Sequence, residues 1–428
     1  MPAPPVVIDG SSLTLADVVS VAREWTPVRV APEAAARAAR SRTVVERAAR
    51  GDAPVYGVNT GFGKLASVRI PADRLLELQR NLILSHCAGV GPPLPLPVVR
   101  AVMLLRANVL LKETSGVRPV LAERLTQMLN AGVHPVVPEQ GSVGASGDLA
   151  PLSHVALALL GEGQADVAGG PEETARRTPA RDALVRAGLT PVELEAKEGL
   201  AFINGTQAQT AMLTLLLHDA RILWRSAHAA AAMSLEALRG TPVPFDERIH
   251  LARPHPGQRA SAALMRDLLA GSEIRESHRE HDPRVQDAYS LRCVPQVLGA
   301  AADVVDFAGR VAEVELNAAT DNPLVFGEDM LSGGNFHGQP VALALDMLAM
   351  ALTTVAGIAE RRIEALVNPD LSQGLPAFLT AQAGLQSGFM MVQVTAAALV
   401  AECRTWCTPA SVQSIPTDAN QEDYVPMG

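Results

Sequence analysis

Apolar residues recur at the three- and four-residue spacing of a single helix face across 73–88, 97–112, 118–131, 152–161, 206–238, 257–270, 295–318, 339–366 and 384–407. Alternation with a period of two is confined to short pieces, Val6-Val7-Ile8 and Thr241-Pro242-Val243. Residues 163–182, with Gly169-Gly170-Pro171 followed by mixed charge, read as an exposed excursion. The expected fold is therefore mostly α, with an N-terminal helical and loop-rich domain over 1–200 and a central long-helix bundle over 201–428. The segments 206–238, 339–366 and 384–407 are apolar on nearly every face, and such helices need other helices around them. Three of that length exceed what a small bundle can bury, so the pattern predicts a multi-helix bundle shared between subunits.

Composition narrows this picture. The 428 residues leave room for two or three domain-sized units. The chain is 48% hydrophobic but only 3% aromatic, so its core must be built from Ala, Leu and Val. A net charge of −9 argues against nucleic acid or an anionic membrane as partner. Cys87, Cys293, Cys403 and Cys407 show no disulfide framework, which suits a reducing cytoplasm, and Cys403 and Cys407 lie on one helix face as core residues rather than as half of a zinc site. Met1-Pro2-Ala3-Pro4-Pro5 lacks a basic segment followed by an apolar core, so no signal peptide is read. The stretches 340–358 and 388–401 carry Asp346 or Gln393 without flanking basic anchors, and are expected as buried helices rather than membrane spans.

The candidate chemistry lies in polar segments between the helices. Residues 141–152 read Gly-Ser-Val-Gly-Ala-Ser-Gly-Asp-Leu-Ala-Pro-Leu. In Ala145-Ser146-Gly147 the Gly147 nitrogen has no Cβ beside it and can fold back onto the Ala145 carbonyl. Ring closure and dehydration of Ser146 would give an alkylidene imidazolone, an electron sink made from backbone, a task otherwise given to a cofactor. The plainer alternative is that Ser146 or Asp148 caps a helix starting near Leu149, with Pro151 in its first turn. Other polar clusters are Tyr56-Gly57-Val58-Asn59-Thr60-Gly61-Phe62-Gly63, Ser85-His86, Phe202-Ile203-Asn204-Gly205-Thr206-Gln207, Gln286-Asp287-Ala288-Tyr289-Ser290-Leu291-Arg292, Glu315 to Pro323, Gly333 to Gly338, and Asn420-Gln421-Glu422-Asp423-Tyr424. Each has an ordinary structural explanation: a turn at Asn204-Gly205, a core tyrosine at Tyr56, an Arg292–Asp287 ion pair.

Taken together and in order, these motifs resemble the aromatic amino acid ammonia-lyase and aminomutase family, from about residue 50 to the end of the chain. The resemblance implies a 4-methylidene-imidazol-5-one formed autocatalytically from Ala145, Ser146 and Gly147, with no metal and no diffusible cofactor. It implies β-elimination of ammonia from an α-amino acid, a small-molecule substrate, with Tyr56 as the base. Residues matching Asn204, Gln286, Tyr289, Arg292 and Phe336 would surround the electrophile, and Gly63 belongs to the Tyr56 motif. Arg292 has the chemistry of a bidentate carboxylate clamp, and Tyr289 lies on its face of the helix. A phenol is a poor base at neutral pH unless cations, a helix terminus or backbone donors in the 57–63 loop lower its pKa. By the same resemblance the site is assembled from three subunits of a homotetramer, and family members continue past the motif that ends here at Gly428.

Ser85-His86 together with Gln421 and Glu422 resembles the histidine-cleaving branch, which implies conversion of L-histidine to urocanate. His86 can hydrogen-bond an imidazole, and Glu422 can pair with it. Tyr424 departs from that branch, which usually carries His there. A tyrosine or phenylalanine lyase or aminomutase, or a shortened non-enzymatic homologue, remains the alternative. His278 and His281, amid Arg275, Arg279 and Arg284, read as a charged loop rather than a metal site.

Overall fold

The computed structural model describes residues 4–280, 282 and 284–428. Met1 to Ala3 and His281, on which the leader and metal readings partly rested, lie outside the described residues. Helices dominate, and the chain divides into two compact units, one of Met1–Leu215, Arg310–Leu343 and Ala410–Gly428, the other of Leu216–Gly309 and Ala344–Pro409.

In the first unit Val6–Ile8 pairs in parallel with Val28–Val30. The connecting helix Leu15–Arg23 starts on a capping box, Thr14 with Asp17. At the centre of the core is Leu96–Leu110, buried on all sides from Val99 onward and packed by Leu15–Arg23 and Val120–Asn130. A helix with no exposed face must still neutralise its polar residues. Arg100 does so through the carbonyls of Val21 and Leu129 and through His134 Nε2 at 2.8 Å, with its guanidinium 4.0 Å over the Trp25 ring. Burial and the Arg100 charge hold His134 down at about 3, so the imidazole is neutral and accepts this bond.

Eight of the nine helices expected from periodicity form within three residues of their limits, among them Leu75–His86, Val120–Asn130, Leu149–Leu159, Gln207–Ala237 and Gln339–Val367. The ninth starts late, at Met390, because Gly384 and Gly388 with positive φ lie ahead of it. Four differences have physical causes. Thr241-Pro242-Val243 is no strand: Pro242 and Pro244 withhold ladder donors and the chain turns into the 3-10 helix Val243–Phe245. Segment 163–182 is not a loose excursion. Gln164–Val167 pairs with both Val133–Pro135 and Arg176–Pro179, Ala165 is buried, and Asp166 pairs with its register partner Arg177 through two 2.9 Å bonds. Pro32–Arg50 escaped the periodicity because its inward residues are Ala34, Ala38, Arg42 and Val45, which give little hydropathy contrast. The full burial expected of the long apolar helices is also absent within this chain.

That last difference concerns the second unit. Its core is formed by Ala227 to Leu238, Phe245, Leu291 to Ala301 and Ala351 to Ala365. Gln339–Val367 is the one described helix long and apolar enough to cross a membrane, yet only 33% of its most apolar window is buried. In Met390–Trp406 only Val400 is buried, and Met391, Leu399 and Trp406 face outward. The apolar faces are real, but one copy of the chain does not cover them. Cys407 sits 2.8 Å from the Thr353 hydroxyl and Cys403 is half-buried, as befits packing residues. His278 is held by the carbonyls of Ile274 and Gly240, which gives it a structural role.

Candidate active site

Loop 141–148 is pinned from both ends by segments distant in sequence. Gly144 and Gly147 adopt φ of +75° and +83°. A Cβ on Gly147 would lie 2.6 Å from the Gly205 nitrogen, so only glycine permits this approach of two backbones. Asn204 donates from Nδ2 to the Ser146 carbonyl at 2.9 Å, and the Asp148 N–H donates to Gly205 O at 2.6 Å. On the other side Gly338 N–H donates to Gly144 O at 2.8 Å. Asp148 stands at the N-cap position of the helix that starts at Leu149, but the capping expected of it there is not made. Its Oδ2 instead accepts from the N–H groups of Ala208 and Gln209 at 2.8 and 3.0 Å, at the start of Gln207–Ala237, while Oδ1 accepts from Ser142 Oγ at 2.9 Å.

Burial pushes the Asp148 carboxyl up to about 6, against those three contacts and a fourth from Gln209 Nε2 to Oδ1 at 3.4 Å. The folded chain thus takes up this proton near pH 6, whereas an unfolded carboxyl does so near its ordinary value of 3.8. The cost of ionised Asp148 therefore appears as pH rises through that window. Relative to Asp148→Asn, the wild type is expected to lose on the order of 3 kcal/mol between about pH 4 and 6. Urea unfolding of the two proteins across that range measures it, and a pH-independent difference would refute the assignment.

Beneath the turn lies Arg106, fully buried, which donates to the carbonyls of Ala201 and Asn204 and to Gln207 Oε1. Burial lowers it to about 10, so it remains a cation at neutral pH. Lys197 Nζ and Asp321 Oδ2 form a second buried pair at 3.0 Å, and Lys197 also donates to Ser115 O at 2.6 Å. Arg106 sits in an otherwise apolar helix and Lys197 in an acidic linker, among Glu193, Glu195 and Glu198, where a lysine reads as an ordinary surface charge; only the groups they meet disclose their use.

The loop opens onto a cleft of about 1120 Å³ formed within the first unit. Tyr56, Gly63, Ser85, His86, Ala145, Ser146, Asn204, Phe336, Gln421 and Glu422 all line it, from six separate stretches of chain. The Tyr56 hydroxyl accepts from Gly63 N–H at 3.3 Å, and its ring meets Phe62 edge-on at 6.5 Å. That backbone donor favours phenolate, but burial dominates and the Asp418 and Glu422 carboxylates add to it, so Tyr56 is raised above its ordinary value of 10.0. His86 Nδ1 lies 2.9 Å from Leu82 O and 3.0 Å from Ser85 Oγ. A carbonyl only accepts, so Nδ1 carries the proton and Nε2 is left as an acceptor. Glu422 is half-buried and accepts from Thr417 Oγ1. Tyr424 stacks on His337 at 6.3 Å.

Gln286, Tyr289 and Arg292 belong to the second unit. The Arg292 guanidinium lies 4.6 Å over the Tyr289 ring, and Tyr289 is 70% exposed. The suggested Arg292–Asp287 ion pair is not formed. Asp287 takes Arg284 at 3.2 Å and Thr241 N–H at 2.6 Å, while Arg292 Nε is buried without a hydrogen-bond partner among the described residues.

Residues 13–428 match the family described as aromatic amino acid lyase. The chain belongs to that family. Among relatives of this aromatic amino acid lyase, a histidine ammonia-lyase of Stigmatella aurantiaca is 57% identical over 430 residues, covering 100% of this chain and 83% of its own. One from Myxococcus xanthus is 56% identical with the same coverage. Solved structures similar to it include a tyrosine aminomutase from Streptomyces globisporus, with TM-score 0.92, 42% identity and coverage of 99% and 82%. A histidine ammonia-lyase from Trypanosoma cruzi has TM-score 0.89 and 44% identity, with coverage of 99% and 79%.

Proposed function

We propose that this carbon–nitrogen lyase eliminates ammonia from L-histidine to give urocanate. The observation carrying this reading is the pinned Ala145-Ser146-Gly147 backbone at the floor of a cleft that also holds Tyr56, His86 and Glu422. The cleft fits the self-formed group. Gly147 is the residue whose backbone can approach Gly205 and whose nitrogen is unhindered, and Asn204 fixes the intervening carbonyl. When formed there, a methylidene imidazolone supplies an electrophile that makes an amine a better leaving group. Asn204 and Arg106 orient the peptide from which it is made. Tyr56 is the base for the β-proton, and it works only once its phenol is deprotonated. His86 Nε2 accepts an imidazole N–H, and Glu422 pairs with the imidazole or takes its proton. Phe336 packs against the reacting centre. Gln421 and Ser85 complete the polar rim.

Arg292 is the proposed clamp for the substrate carboxylate, with Tyr289 and Gln286 beside it. The uncovered apolar faces of Gln339–Val367 and Met390–Trp406 support a homotetramer in which copies of the chain complete one another's sites. The division into an electrophile-bearing domain over 1–200 and a bundle over 201–428 is kept as a proposal, as is residence in the cytoplasm.

A panel of L-histidine, L-tyrosine and L-phenylalanine with product identification tests the function. Urocanate should accumulate from histidine, and turnover of tyrosine or phenylalanine with none of histidine would overturn the substrate assignment. His86→Leu is expected to raise KM for histidine about tenfold, the worth of one hydrogen bond to a partly buried group. An unchanged KM would remove His86 from the imidazole pocket.

A further inference from the structure

Segment 417–422 carries a concentration of backbone strain. Asp418, Ala419 and Asn420 are three successive non-glycine residues in the left-handed region, with φ of +48°, +52° and +64°. Such conformations cost of order 1 kcal/mol or more each and persist where surrounding structure imposes them. Here Thr417 and Glu422 close the turn by exchanging backbone hydrogen bonds of 3.0 and 3.4 Å. The outcome is a fixed direction for the Asp418 side chain. Its Oδ2 accepts from Lys64 N–H at 2.8 Å, and the carboxylate packs so closely on Gly63, itself at φ +51°, that a Cβ there would collide with it. Gly63 is also the residue whose N–H meets the Tyr56 hydroxyl.

We propose that Asp418 is a positioning residue for the reaction, latching the Gly61–Ala66 loop over the cleft and setting a negative charge beside the Tyr56 hydroxyl. The proposal rests on Tyr56 being the base. The other titratable groups lining the cleft are His86, His337, Glu422, Asp423 and Tyr424. Glu422 adds to the negative potential at Tyr56, so the turn helps to position the phenol and reinforces the upward shift that burial already imposes on it. Asp418 is exposed, so substituting it removes no core packing.

Two variants separate the parts of the role. Asp418→Asn keeps an acceptor for Lys64 N–H and removes the charge; Asp418→Ala removes both. The chain has three tyrosines, so a phenolate absorbance titration of each protein against its own Tyr56→Phe counterpart isolates Tyr56. Tyr56 is expected to ionise at lower pH in both variants, and the acidic limb of kcat/KM for histidine should move the same way. Asp418→Ala should in addition speed hydrogen exchange at the Lys64 amide and lower kcat about tenfold, whereas Asp418→Asn leaves exchange near wild type. A Tyr56 titration unmoved in both variants, or Lys64 exchange unmoved in Asp418→Ala, overturns the role of Asp418. Full activity in Tyr56→Phe overturns the assignment of the base instead, so the two failures are distinguishable.

Discussion

Ser146→Ala should give a folded chain of full mass and almost no lyase activity. In the wild type, ring closure and dehydration each release one water, so the mature chain is expected to be lighter by two waters. Alanine has no hydroxyl to lose, so the exocyclic alkene cannot form even if Gly147 N attacks the Ala145 carbonyl. Activity should fall by roughly a thousandfold or more, the scale on which removing a covalent catalytic group reads. Far-UV dichroism should hardly change, because Ser146 Oγ carries none of the contacts that pin the loop. Those run through the Ser146 carbonyl, Gly144 O, Asp148 and Gly205. Intact mass and urocanate formation check the two halves separately. A wild-type chain of full mass with full activity would remove the electrophile, and a Ser146→Ala variant of undiminished activity would do the same.

Lys197→Met is expected to be among the most destabilising single changes in the first unit. Both partners of the 3.0 Å Lys197–Asp321 pair have fully buried side chains. Removing the ammonium strands a carboxylate whose other oxygen, Oδ1, already has no hydrogen-bond partner among the described residues. Breaking a buried pair from one side costs about 3–5 kcal/mol, whereas replacing both members by apolar residues of similar volume is often neutral. The double variant Lys197→Met/Asp321→Leu should therefore recover most of the loss. Lys197 also stands at φ +71°, so its backbone adds a smaller strain that both variants share. Urea midpoints of the wild type, the single variants and the double variant measure the coupling. A single variant within 0.5 kcal/mol of wild type, on the scale of an ordinary surface change, would mean that the pair is hydrated and worth little.

The helical skeleton was legible because Leu, Val and Ala recur at fixed spacing in segments such as 97–112 and 206–238. Pro32–Arg50 was not, since over most of its length the buried stripe is alanine and one arginine, with valines only at 44 and 45. The hairpin within 163–182 was hidden because its strands are four residues long and bury only Ala165 and its register partner Thr178. At the site, glycines and polar clusters marked Tyr56, His86, Asn204 and Glu422, and the structure brings these to one cleft. What could not be read was everything acting through backbone carbonyls or across long separations. Arg106 beneath the Asn204 turn is one case. Asp148 turned away from its own helix toward Ala208 and Gln209 is another, and Asp418 fixed on Lys64 a third. In each, the partner is a main-chain group whose position no residue type announces.

The grip on loop 141–148 has a consequence for the order of events in making the protein. Its contacts come from Asn204 to Gln209 and from Gly338, and Gly428 O approaches within 2.8 Å of where a Cβ on Gly144 would lie. A nascent chain that has just emitted residue 147 has none of these. If the tripeptide cyclises as proposed, it is expected to remain an ordinary peptide until the segments that hold it, Asn204 to Gln209 and Gly338, have been made and have docked on it. On that proposal, reactivity would be withheld until the fold that contains it exists.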